Sequence, residues 1–279
     1  MSDVVLRETE IRPDHLMKGQ EERFAADIAR LLAHRAGFVE VNCPACESPE
    51  KTKAFEKYTL TYVNCTSCET MYISPRPMPP HLEDYYSSSE NYAYWNNYIF
   101  PASEDARRDK IFRPRAERIV DIAKRHGKEH GTLLEVGSGF GTFCQEVQRV
   151  GTFGRVIAVE PTKDLAETCR KRGLEVIEKP IEHVKLESGS VDLIASFEVI
   201  EHLFSPKEFL QSCNAVLSSG GLLILTCPNG KGFDILELQA LAGAVDVEHL
   251  NYFNPKSLAL LLDRCGFDTL ESTTPGKLD

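Results

Sequence analysis

The spacing of apolar positions changes along this chain, and the changes divide it. From Gln20 to Arg35, Phe24, Ile28, Leu31 and Leu32 recur at helical spacing, which predicts an amphipathic helix. From Val41 to Pro77 the pattern shortens to alternation through Tyr58, Leu60, Tyr62 and Asn64, which suits short strands. Pro75, Pro77, Pro79 and Pro80 then interrupt regular structure. A tyrosine-rich stretch, Tyr85 to Tyr98, follows and holds the single tryptophan, Trp95. Arg107–Arg125 reads as a helix with Ile111, Ala116, Ile119, Val120 and Ile122 inward.

From Thr132 onward strands and helices alternate. Strands are predicted at Thr132–Val136, Arg155–Glu160, Leu174–Ile177, Val191–Phe197 and Gly221–Cys227, with Phe267–Glu271 able to form a last one. Helices are predicted at Phe143–Val150, Asp164–Arg172, Pro206–Leu217 and Pro255–Cys265. This alternation predicts an α/β fold built on a Rossmann-like, doubly wound, mostly parallel sheet. The expected division is a helical segment over 1–40, a small cysteine-bearing module over 41–80, an aromatic linker and helix over 81–130, and the α/β domain over 131–279.

Composition narrows the class. The chain has 279 residues, 42% of them hydrophobic, enough for one large domain with a small appendage. A formal net charge of −10 disfavours broad binding to nucleic acid or anionic membranes, both of which need a basic field. No apolar run is long enough to span a bilayer. Met1–Leu16 is polar and lacks a signal-peptide core, so a cytoplasmic location is expected. Nothing in the pattern speaks to oligomeric state.

The most informative stretch is Leu133-Leu134-Glu135-Val136-Gly137-Ser138-Gly139-Phe140-Gly141. A strand ends, glycines turn the chain, and a helix starts. Glycine lets backbone approach a ligand where a Cβ would clash. Such a turn falls at the carboxyl edge of a parallel sheet, where these folds bind ligands. The dinucleotide pattern would place its third glycine at Thr142; here it is Gly141, giving G-x-G-x-G, and the Gly-Lys-Ser/Thr of a P-loop is absent. Glu160 ends the next strand, where an acid can accept both hydroxyls of a ribose.

With loop and acid in place, residues from about Leu133 to Phe267 resemble the class I S-adenosylmethionine-dependent methyltransferase domain. The resemblance implies that Gly137, Ser138 and Gly139, with Glu135 and Gly141 beside them, line the methionine part of the cofactor. It implies that Glu160, followed by Pro161, holds the ribose, and that Ile181 and Glu182 lie by the adenine. Phe197 and Glu198 would end the fourth strand beside the methionine end. Glu248-His-Leu-Asn-Tyr-Phe-Asn-Pro255 resembles the stretch that precedes the last helix in many members. That family's sheet usually closes with an antiparallel hairpin, whereas only a short segment ending Gly276-Lys-Leu-Asp279 follows Phe267–Glu271. Either the sheet lacks its final strand or this chain is the N-terminal piece of a longer one.

Nine cysteines, an odd number, argue against a disulfide framework. Cys43, Cys46, Cys65 and Cys68 form C-x2-C-x18-C-x2-C, two knuckles able to aim four thiolates at one structural zinc. The arrangement resembles the zinc ribbons found ahead of some sugar and secondary-metabolite methyltransferases.

Methyl transfer from a sulfonium is an in-line displacement that aligns nucleophile, methyl and sulfur, and an oxygen acceptor commonly needs a base or a metal. His202, next to Glu201, is the candidate base, with capping or packing as the alternative role. Glu198, Glu201, His202 and the distant His249 resemble the metal-ligand set of small-RNA 2′-O-methyltransferases, which leaves a catalytic Mg or Mn open. The tyrosines Tyr85, Tyr86, Tyr92 and Tyr94, with Trp95, form either a lid over the cofactor or packing at a domain junction. Asn229 and Tyr252 are expected in loops at the acceptor edge. The leading expectation is O-methylation of a small molecule such as a sugar or secondary metabolite. Metal-assisted RNA 2′-O-methylation and an inactive cofactor-binding scaffold are its rivals.

Overall fold

The computed structural model describes residues 7–275, so residues 1–6 and the closing residues 276–279 lie outside it. Two helices lead in: the short α1 (Glu8–Ile11) and the long α2 (Asp14–Ala33). The periodic stripe predicts a start at Gln20; α2 begins six residues earlier, directly after Pro13, whose fixed φ of −60° suits a helix entrance. A three-stranded antiparallel meander follows: β1 (Lys51–Lys57), β2 (Leu60–Cys65) and β3 (Met71–Ile73). The tyrosine-rich region is helical: α3 (Pro79–Ser88), α4 (Glu90–Tyr94), α5 (Phe100–Arg107) and α6 (Arg113–Arg125). Wide turns at Trp95–Ile99 and Arg108–Phe112 join the last three into one nearly continuous helix.

The α/β half runs β4 (Thr132–Val136), α7 (Thr142–Val150), β5 (Arg155–Val159), α8 (Lys163–Lys171), β6 (Glu175–Ile177), β7 (Val191–Phe197), α9 (Pro206–Val216) and β8 (Leu217–Thr226). Its five strands are all parallel, in the order β6-β5-β4-β7-β8. Alternate residues sort to the two faces because strand side chains have period two. Leu133, Val156, Ala158, Leu193 and Ala195 meet α6, α7 and α8 through Ala116, Ile119, Phe143, Val147 and Cys169. Leu134, Val136, Ile157, Val159 and Ile194 face Phe209, Leu210 and Cys213 of α9. The sheet is therefore doubly wound, as expected. After β6 the chain returns to place β7 against β4, which opens a switch point between their carboxyl ends.

Three further elements complete the chain: α10 (Phe233–Leu238), β9 (Asn251–Tyr252) and α11 (Pro255–Arg264), whose Leu261 joins the α9 face. The strand expected over Phe267–Glu271 is not formed. That stretch is irregular, has no pairing partner among the described residues, and leaves Leu270 largely exposed.

β9 is the joint of the molecule. It pairs antiparallel with β3, extending the meander to the order β1-β2-β3-β9. One face of that sheet (Leu60, Tyr62, Met71, Ile73) packs under Ile28 and Leu31 of α2 and Leu82 and Tyr85 of α3. The other face (Val63, Cys65, Tyr72) packs into the α9–α11 core. The cysteine module is thus enclosed on both sides.

The helical segment is pinned by Asp27, fully buried on α2. Its carboxylate accepts from Ser89 Oγ (2.6 Å), the Glu90 N–H (3.1 Å), the Asn91 N–H (2.9 Å) and Arg30 (2.9 Å). It caps α4 from a different helix, satisfying donors that α4 cannot. Asp27→Ala is expected to destabilise the protein by about 2–4 kcal/mol, because those buried donors lose their acceptor. Denaturant unfolding measures it, and a loss well below 1 kcal/mol would show that water replaces the carboxylate.

Candidate active site

The glycine loop sits where β4 ends. Gly137, Gly139 and Gly141 have φ of +79°, +52° and +71°, a region that disfavours side chains. At Gly137 a Cβ would lie 2.4 Å from Val199 Cγ2, so the loops after β4 and β7 touch across the switch point. At Gly141 it would meet Leu174 at 2.3 Å. At Gly139 it would meet nothing within 4 Å. The loop is held by Gly137 and Ser138 N–H groups donating to Val159 O (2.9 and 3.2 Å). Phe140 stacks on Phe100 of α5, with ring centroids 3.7 Å apart, so the aromatic helices reach the loop.

Glu160 is buried beside it. One carboxylate oxygen accepts from the Gly139 N–H (2.8 Å), the other from the Thr162 N–H (2.8 Å). Burial raises its pKa. Each oxygen keeps a second lone pair. Glu135 points into the α7 face, accepts from Cys144 Sγ (3.0 Å), and burial pushes it up to about 8. Ser138 turns toward Cys169 (3.8 Å). Ile181 is buried in a short turn, while Pro161 and Glu182 are exposed, Glu182 beside Glu208 and Gln211 of α9. Phe197 lies under the Arg115 guanidinium at 4.2 Å and edge-on to Phe143.

The second half of the site is the turn after β7. Glu198 has φ +54°, and this left-handed backbone sends its exposed carboxylate to Thr226 Oγ1, which donates at 2.6 Å. Ile200–His202 forms a single 3₁₀ turn. Glu201 is fully buried, and neither carboxylate oxygen has a hydrogen-bond partner. Burial, reinforced by the Glu198 charge, raises its pKa well above the carboxylate range. His202 Nδ1 lies 3.1 Å from the Glu248 carbonyl and 3.3 Å from Tyr86 Oη; His249 Nδ1 lies 2.8 Å from the Ala244 carbonyl. A carbonyl only accepts, so each Nδ1 carries a proton, and in the neutral ring the lone pair lies on Nε2. Burial, with His249 adding to it, lowers the His202 pKa well below its usual value.

Ligand atoms of Glu201, His202 and His249 all lie within 4.8 Å of one another. Of the four residues expected from sequence, three meet in this cluster; Glu198 takes the Thr226 hydroxyl instead, close enough for its charge to act on Glu201. The buried Tyr85 and the half-buried Tyr86 and Tyr92 gather around this cluster: Tyr85 and Tyr92 donate to the two oxygens of Glu248 (2.6 and 3.3 Å). Tyr94 instead lies under Arg23 and against Tyr98, and Trp95 packs on Phe100. Tyr252 is not in a loop; it is buried in β9. The same edge holds Glu248, raised to about 7 by burial and the Asp246 charge, and the fully buried Asn251. Both lie in the stretch 248–255, but no periodicity distinguishes them from their neighbours.

The four cysteines converge. Cys43 and Cys68 sulfurs are 3.4 Å apart, Cys46 and Cys65 3.5 Å, and all four lie within 4.8 Å. Each knuckle closes with a backbone bond, Glu47 N–H to Cys43 O and Glu69 N–H to Cys65 O, with φ of +64° and +61° at the two glutamates.

A glycine turn, an acid at the end of the neighbouring strand and a polar cluster across the switch point together define an α/β protein whose chemistry-bearing residues gather at the carboxyl edge of its parallel sheet. Residues 106–272 match the model of the methyltransferase domain family, and the chain belongs to that family. Among curated relatives, a ubiquinone biosynthesis O-methyltransferase of Caulobacter sp. (strain K31) is 34% identical over 102 residues, covering 35% of this chain and 40% of that protein. A Mycobacterium tuberculosis protein named probable S-adenosylmethionine-dependent methyltransferase is 30% identical over 137 residues, 48% of each chain. The chain thus spans about half the length of these relatives or less. A solved SAM-dependent methyltransferase from Archaeoglobus fulgidus is 20% identical, with a TM-score of 0.48 over 62% of this chain and 75% of that one.

Gly137→Ala and Gly139→Ala separate the two constraints in the loop. Both incur the left-handed penalty of about 1–2 kcal/mol, but only Gly137→Ala also collides with Val199. Thermal unfolding should show the larger loss for Gly137→Ala; equal losses would mean that Val199 yields without cost.

Proposed function

We propose that this protein transfers a methyl group from S-adenosylmethionine to a hydroxyl oxygen of a small molecule. The observation that carries the reading is the buried Glu201–His202–His249 cluster, set across the switch point from the glycine loop and Glu160. The cofactor would supply an electrophilic methyl on sulfonium. The open face of Gly139 admits close approach to backbone, and the spare lone pairs of Glu160 suit two ribose hydroxyls. Gly137, Ser138 and Gly139 then line the methionine half, and Pro161, Ile181 and Glu182 the adenine side.

His202 presents an unprotonated Nε2, which accepts the hydroxyl proton as the oxygen attacks. Its lowered pKa keeps that lone pair free but makes the ring a weak proton store, which favours help from a cation. Glu201, His202 and His249 fit one: two imidazoles whose other nitrogens are tied to carbonyls, and a carboxylate with both oxygens unpartnered. Two nitrogen donors favour Mn or a softer ion over Mg. Such an ion would lower the pKa of the acceptor hydroxyl.

The relatives named as ubiquinone biosynthesis O-methyltransferases support an oxygen acceptor. The sugar or secondary-metabolite assignment rests on the ribbon resemblance. RNA 2′-O-methylation shares the three-residue cluster but is opposed by the net charge of −10. All nine cysteines are free, which suits a reducing cytoplasm. No helix among the described residues is long and apolar enough to cross a membrane.

Cys43, Cys46, Cys65 and Cys68 hold one zinc ion in this reading. A tetrahedron with Zn–S of about 2.3 Å has S···S edges of about 3.8 Å, close to the separations found. Four protein ligands leave no open position, so the ion is structural. Elemental analysis should return one zinc per chain, and Cys65→Ser should lose the metal and lower the melting temperature; full-length protein with no zinc and unchanged melting would overturn the assignment.

The functional test uses methyl-labelled S-adenosylmethionine with cell extract split into small-molecule and RNA fractions. Label is expected among small molecules. Label in RNA would move the assignment to nucleic acid, and none in either would leave a cofactor-binding scaffold. His202→Ala should cut turnover about 10²–10⁴-fold while cofactor binding persists. Loss of turnover on chelation, restored by Mn, would place a cation at the cluster.

A further inference from the structure

The reacting turn is too short to hold itself. Ile200–His202 has one internal bond, His202 N–H to Val199 O (3.0 Å), and the carbonyls that follow point inward without helical partners. Their partner is Asn251, which is fully buried. Its Nδ2 donates to Leu203 O (2.8 Å) and Glu201 O (3.2 Å), with Ile200 O at 3.4 Å. Its Oδ1 accepts from Arg76 Nη1 at 2.9 Å. The amide orientation is settled by chemistry: a guanidinium only donates and a carbonyl only accepts, so the opposite orientation would lose every bond.

Arg76 lies three residues beyond β3 and is 2% exposed. Its backbone pairs with Val39 (2.9 and 3.0 Å), and its guanidinium lies over Phe204, 5.3 Å from the ring centroid. No carboxylate lies within 4 Å of it among the described residues. A buried guanidinium is an expensive way to orient an amide unless the orientation matters. Asn251 is itself paired with Tyr72 of β3, and Ile73 N–H donates to Leu250 O. The cysteine-bearing sheet and the reacting turn are therefore joined by one buried chain: β3, Arg76, Asn251, then the carbonyls of 201 and 203.

We propose that Arg76 and Asn251 are positioning residues, and that the cysteine module serves the reaction by setting the Glu201–His202 turn from behind. This rests on the methyl-transfer reading for its kinetic consequence, though not for its structural one. Asn251 touches neither the glycine loop nor Glu160, so cofactor affinity should be insensitive to it.

The test is Asn251→Asp. The replacement keeps an acceptor for Arg76 and gains an ion pair, but loses both donors to the turn. Hydrogen–deuterium exchange of the peptide covering residues 199–204 should speed up about 10-fold or more, while exchange in β4, β5 and β7 stays as in the parent. Turnover should fall about 10–100-fold with the S-adenosylmethionine Kd within about twofold. Arg76→Met should reproduce the exchange change in weaker form, and Arg76→Lys should restore part of it. Unchanged exchange at 199–204, or exchange that rises equally through the parallel sheet, would overturn the proposal. If the parent protein methylates nothing, the functional reading fails separately, and the exchange comparison still decides this one.

Discussion

Two residue pairs, Met71 with Tyr252 and Tyr72 with Asn251, join the cysteine-bearing sheet to the parallel-sheet half of the molecule. Such short pairing is marginal in water. Here Tyr72, Asn251 and Tyr252 are all completely buried, so breaking the ladder would strand polar backbone away from solvent. The neighbouring residues depend on the same joint. Asn254 accepts from Lys256 and Ser257 N–H to start α11, and its Nδ2 donates to the carbonyls of Cys68 and Glu69. One asparagine thus caps a helix and closes a cysteine knuckle. Gly230 lies against the same strand, where a Cβ would come within 2.5 Å of Tyr252 O. The loop after β8, the last helix and the second knuckle are all set by where β9 lies.

Buried acids separate into two kinds by the partners they meet. Glu146 is 1% exposed and is met by Arg108, Arg113 and Arg149. Asp27 takes four donors. Both are carboxylates with their hydrogen-bonding capacity met, as interior polar groups require. Glu201 has no donor at all, and Glu135 has a thiol. A fold that equips Glu146 with three arginines does not leave Glu201 bare for want of cations. Its lack of a partner, beside two imidazoles, is the observation behind the cation reading proposed above.

Much of this was legible in the sequence, for identifiable reasons. Five of the six expected α/β strands formed because their apolar runs are bounded by glycine, proline or polar turns. The glycine loop and Glu160 are local in sequence, within one βαβ unit. The cysteine spacing determines its own geometry. Phe267–Glu271 failed because an apolar stretch becomes a strand only where a partner lies alongside, and pairing is not a local property. Glu198 left the expected ligand set through one left-handed residue, which periodicity does not register. Arg76, Asn251 and the tyrosine contacts to Glu248 were invisible because they join residues 156 to 175 positions apart.

That last group shows how the site is assembled. The half we assign to the cofactor comes from the βαβ unit and falls inside the family match, which begins at residue 106. The half we assign to the acceptor takes Tyr85, Tyr86 and Tyr92 from the helices before that point, and its rear support from Arg76 in the cysteine module. Those segments reach Glu248, His202 and Asn251 only because β9 carries the chain back to β3. In this reading the family domain takes its acceptor wall from residues outside the matched region. In the methyl-transfer reading, changing the N-terminal 105 residues would act on the acceptor wall before it acted on the glycine loop and Glu160.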